Sequence, residues 1–90
     1  MGPGHTRENL DILKASALSI DDMEQKILEI FPDKGDEGFA QIYKGFDDNP
    51  YDAQFIGTTD EGMRCYVTMI EGDPNIRSAK FHIELRPQQL

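Results

Sequence analysis

Between Ser19 and Phe31 the apolar residues Ile20, Met23, Ile27, Ile30 and Phe31 recur at three- and four-residue intervals. That spacing places side chains on one face of a helix. Ser19 is positioned to cap the first free amides, Asp22 follows three residues later, and Leu18 is placed to staple onto Met23. Asp21, Asp22 and Glu24 complement the positive end of the helix dipole, and Pro32 with Asp33-Lys34-Gly35 ends the segment. Upstream, Leu10, Leu13 and Ala17 suggest a shorter, less regular helix over residues 7–16.

After Gly38 the apolar pattern reads with a period of two, interrupted by turn residues about every ten positions. Four strands are expected, near residues 39–46, 51–58, 63–70 and 78–86. Asp47-Asp48-Asn49-Pro50, Thr59-Asp60-Glu61-Gly62 and Glu71-Gly72-Asp73-Pro74-Asn75 connect them, with Gly62 suited to the left-handed conformation. Short connections make consecutive strands antiparallel neighbours. The fold class is therefore α+β, one or two N-terminal helices packed on one face of a four-stranded antiparallel meander sheet.

Alternation assigns the buried face. Met63, Cys65, Val67 and Met69 share a face on the third strand, and Ala79, Phe81, Ile83 and Leu85 share one on the fourth. On the second strand the matching set is Tyr51, Ala53 and Phe55. The first strand divides its apolar residues, with Phe39 and Tyr43 on one side and Ala40, Ile42 and Phe46 on the other. Since one helix cannot cover both sides, Phe39, Ile42, Tyr43 and Phe46 become candidate interaction residues on an exposed edge strand, open to strand addition or to a dimer. The alternative is an ordinary monomer whose edge is guarded by Lys44.

Composition narrows the class. Ninety residues allow one domain over residues 7–90, preceded by a stretch, residues 1–6, that reads as a leader and removes His5 from any functional argument. A single cysteine, Cys65, precludes an intramolecular disulfide and favours a reducing, cytoplasmic setting. No apolar run approaches the length needed to span a bilayer, so no membrane partner is expected. The net charge of −8 disfavours nucleic acid as a partner, but the charge is uneven. Residues 1–62 hold fourteen Asp/Glu against five Lys/Arg, whereas residues 63–90 hold three against four.

Chemistry-bearing residues are sparse. Cys65 falls among the buried positions, where a thiol is inert, and His82 alternates outward beside Lys80 and Glu84. The acidic groups Asp33/Asp36/Glu37, Asp47/Asp48/Asp52 and Asp60/Glu61 adjoin turns and match no EF-hand spacing. No glycine-rich phosphate loop is present, so no metal, cofactor or catalytic residue is assigned. A second surface stands out on the outer sheet face, where Arg64, Tyr66, Lys80, His82 and Arg86 form a cationic strip with an aromatic partner, and Tyr43 could join it. Cross-strand charge pairing explains the same residues without a ligand. Three functions follow in order: a non-enzymatic protein-interaction domain acting as inhibitor, adaptor or assembly factor; a ligand- or single-stranded nucleic-acid-binding sheet; and a small hydrolase or isomerase. The helix-then-meander order recurs in unrelated families and carries no function by itself.

Overall fold

The computed structural model describes residues 17–74 and 77–87. The helix expected over residues 7–16 lies outside them. Among the described residues two helices, α1 (Ile20–Ile30) and α2 (Asp36–Asp48), precede three strands, β1 (Gln54–Thr58), β2 (Met63–Glu71) and β3 (Lys80–Pro87). The strands form one antiparallel sheet in the order β1-β2-β3, and the helices supply the second layer of an α+β fold.

Helix α1 follows its sequence signals. The Ser19 side chain accepts a hydrogen bond from the Asp22 amide at 3.1 Å, satisfying one of the donors a helix start leaves open. Ile20, Met23 and Ile27 are buried along one stripe, and the chain leaves the helix at Phe31, ahead of Pro32. Leu18 exchanges backbone hydrogen bonds with Phe81, each 2.9 Å, so the entry to α1 is tied to β3.

Residues 39–46 are helical, which corrects the expectation of a first strand and reduces the sheet to three strands. Phe39, Ile42, Tyr43 and Phe46 stand at i, i+3, i+4 and i+7, so a helix gathers onto one face what a strand would divide between two. Phe39, Ile42 and Phe46 are buried in the core and Tyr43 is half-buried, its hydroxyl donating to Glu24 of α1. The edge-strand assignment of these four residues is thereby overturned. Lys44 guards no edge either, being an exposed helix residue paired with Asp48 at 3.8 Å. One edge of the sheet is β1, and Lys34 reaches it from the α1–α2 turn, its Nζ donating to the Ile56 carbonyl at 3.4 Å.

The expected inner faces of β2 and β3 are the observed ones. Cys65, Val67, Met69, Ala79, Phe81, Ile83 and Leu85 are buried, with Met63 packed at the margin. The Phe81 ring meets Phe46 of α2, centroids 5.6 Å apart, which joins helix layer to sheet at the centre of the core. Gly62 takes φ 87° in the β1–β2 turn, as its position required, and donates its amide to the Thr59 carbonyl. Gly72, at φ 89°, closes against β3 so tightly that a Cβ there would stand 2.6 Å from the Ala79 Cα.

The inner face of β1 is reversed relative to expectation. A register shift between Phe55 and Gly57 places Gln54 and Ile56 toward the helices and Phe55 outward. Tyr51 and Ala53 precede the strand and are exposed. Gly57 lies beneath the Phe31 ring, where a Cβ would come within 3.1 Å of the ring edge. No described helix is long and apolar enough to cross a membrane.

Candidate functional site

The helices take one side of the sheet and leave the other to side chains that alternate with the core. On β2 these are Arg64, Tyr66 and Thr68, and on β3 they are Lys80, His82, Glu84 and Arg86. Antiparallel pairing sets them in rows. Arg64 lies between Thr58 and Arg86, Tyr66 lies between Phe55 and Glu84, and Thr68 lies opposite His82.

One end of this face is an aromatic and arginine cluster. Phe55 and Tyr66 meet with ring centroids 5.6 Å apart and planes tilted by 57°. The Arg64 guanidinium stands over both, 5.4 Å from the Phe55 centroid and 5.6 Å from that of Tyr66, while Arg86 covers Tyr66 at 4.1 Å. Such contacts orient a guanidinium while leaving its N–H donors available, because the ring engages the plane of the cation rather than its edge. Phe55 is 54% exposed, an unusual position for a phenylalanine.

Electrostatics divide the two arginines. Arg86 is bound to Glu84, with Nε 3.2 Å from Oε2, and the carboxylate beside it raises the guanidinium pKa above its ordinary value. Arg64 forms no ion pair with any carboxylate among the described residues. Two arginines directly opposite each other on neighbouring strands repel, and among the described residues only Arg86 has a compensating carboxylate.

All five residues singled out on this face, Arg64, Tyr66, Lys80, His82 and Arg86, belong to it. The structure brings Arg64, Tyr66 and Arg86 into contact and links His82 to them through Glu84, whose Oε1 is 3.8 Å from the His82 Nε2. Lys80 is set apart at the other end, in register with Glu71. Tyr43 is on α2 and plays no part, whereas Phe55 was missed. Its signal is Gly57, since a glycine inside a strand marks a bulge, and a bulge inverts the faces beyond it.

Elsewhere the chemistry is muted. Cys65 is fully buried, and burial pushes its thiol up to about 11, so little thiolate forms at neutral pH. Burial and the hydrogen bond to Glu24 together hold the Tyr43 phenol well above its usual value. Hollows lie beside the α1–α2 turn, where Phe31, Asp33, Lys34 and Glu37 line the wall, and between α2 and the β2–β3 turn, beside Phe46, Tyr51, Met69 and Asp73. Among the described residues, neither is lined by a histidine, cysteine or serine. No group of three or more His, Cys, Asp or Glu among the described residues is arranged to hold a metal ion.

No protein-family model, curated protein or solved structure is similar enough to this chain to count as a match.

Proposed function

We propose that this chain is a non-enzymatic protein-interaction domain whose contact surface is the outer face of the sheet, centred on Phe55, Arg64, Tyr66 and Arg86. The observation that carries the reading is the exposure of Phe55 within a cluster of stacked arginine and aromatic side chains. Burying its exposed half against a partner would return roughly 1–2 kcal/mol, the scale of a partly covered large apolar side chain. Arginine and tyrosine are the residue types that most often dominate binding energy at protein interfaces, because each combines a broad apolar plane with directed donors.

A single-stranded nucleic acid could also stack on these rings, but its phosphates would have to follow a path of positive charge. The positive charge here is confined to a few groups. Glu84 stands in the next row, and the β1–β2 turn carries Asp60 and Glu61. On a chain of net charge −8 that arrangement favours a protein surface over a polyphosphate.

The test is capture of a partner from the lysate of the source organism, followed by binding of the purified pair. Replacing Phe55 and Tyr66 together by serine is expected to weaken that binary affinity at least tenfold, whereas Gln41→Ala with Lys44→Ala, on the exposed side of α2, leaves it unchanged. Binding indifferent to the first pair of substitutions and lost with the second would overturn the reading.

A further inference from the structure

From the Arg64 environment we infer that the partner presents a carboxylate flanked by apolar side chains, with the carboxylate seated on Arg64 and the apolar groups on Phe55 and Tyr66. This rests on the protein-interaction reading and specifies its chemistry. Three observations meet at one place. Arg64 is exposed and held over two rings, so its side chain is already ordered before anything binds. It has no ion pair among the described residues, and it is exposed. It also faces Arg86 across the strand pair, which raises the positive potential at the spot, favours an anionic occupant and disfavours a cationic one.

The size of the site selects the occupant. Glu84 neutralises much of Arg86, and on the other side Thr58 is uncharged, so the unmet positive charge amounts to about one guanidinium. One carboxylate satisfies it, and the planar fork of arginine accepts a carboxylate through two parallel N–H···O bonds. A run of acidic residues would gain little beyond the first and would meet Glu84 and Asp60. The adjoining rings are apolar platforms, one of them more than half exposed, and they call for leucine- or phenylalanine-like neighbours on either side of the acid.

The test is an NMR titration of the isotope-labelled full chain with three probes. These are a capped pentapeptide Gly-Phe-Glu-Phe-Gly, its counterpart with glutamine for glutamate, and a ten-nucleotide oligothymidine. The glutamate peptide is expected to shift the amides of Phe55, Arg64, Tyr66 and Arg86 and the Arg64 side-chain N–H, and to bind roughly tenfold more tightly than the glutamine peptide. Arg64→Gln, at an exposed position that leaves the fold intact by circular dichroism, should abolish the preference for glutamate. Phe55→Ala should weaken both peptides alike. Equal affinity for the two peptides, with shifts still centred on Phe55 and Tyr66, would overturn carboxylate recognition and leave the sheet face standing as a protein-binding surface. Shifts centred on the helices, or none at millimolar peptide, would also overturn the site. Tighter binding of oligothymidine, falling steeply as salt rises, would overturn both the inference and the reading beneath it.

Discussion

Strands β2 and β3 carry two faces built from alternate residues of the same backbone, and the faces have opposite characters. Inward, Cys65, Val67, Met69, Phe81, Ile83 and Leu85 are 0–4% exposed and interlock with the helices. Outward, one register position away in every case, stand Arg64, Tyr66, Thr68, His82, Glu84 and Arg86, exposed or half-buried, and all but Thr68 take part in ion pairs or ring contacts. Folding free energy is thereby concentrated on one face and the charged and aromatic side chains are gathered on the other, because apolar burial dominates stability and surface ion pairs contribute little. A sheet covered on one side can change its outer residues without unfolding.

The sharpest way to break that division is at its apolar centre. Phe81→Ala removes a fully buried ring that contacts Phe46, and a loss of about 3–5 kcal/mol is expected in a urea denaturation. A loss below about 1 kcal/mol would mean that the inner face does not carry the fold.

A second effect is read by pH. Burial raises the Cys65 thiol from 9.0 to about 11, so above pH 9 the unfolded chain gives up this proton before the folded one does. The stabilisation is fully present below pH 9 and disappears as pH climbs through 11, a decline of roughly 2–3 kcal/mol by the usual conversion of pKa difference to free energy. The Tyr43 phenol, also raised in the folded state, adds a decline that starts near pH 10. Cys65→Ala should flatten the slope between pH 9 and 10, with denaturation midpoints at each pH as the measurement. An unchanged slope would place the thiol in contact with water.

The smallest effect belongs to the outer face. Arg64→Gln removes one of two opposed positive charges and is expected to alter stability by no more than about 0.5 kcal/mol, with any change in the stabilising direction. Destabilisation above 1 kcal/mol, seen as a lower thermal midpoint, would make Arg64 a structural residue and weaken the separation of the two faces.

How much of this was legible varies by element. Helix α1 announced itself through Ser19 and a regular apolar stripe, and β2 and β3 did so through strict alternation. Helix α2 did not. It has no side-chain cap at Gly35, carries Gly38 and Gly45 in its interior, and draws its apolar residues from Phe, Ile and Tyr, which are at home in strands. The stripe Phe39, Ile42, Tyr43, Phe46 held the correct answer, and its weakness was only that a period of two fits some of the same positions. Gly45 makes sense in three dimensions, where the Gln54 side chain of β1 occupies the space a Cβ would need.

The sequence by itself determined the cap of α1, the inner faces of β2 and β3, and the concentration of acid in residues 1–62 with near balance in 63–90. These depend on local geometry and on counting, and neither requires knowledge of neighbours. Tertiary structure decided between the two periods that residues 39–46 allow, because a short apolar run takes whichever conformation lets it pack, and here the helix sets Phe46 against Phe81 on the inner face of the sheet. It also decided that Phe55 faces outward. The bulge before Gly57 turns the strand so that Ile56 fills the core, and the displaced ring comes to rest against Tyr66 and beneath Arg64.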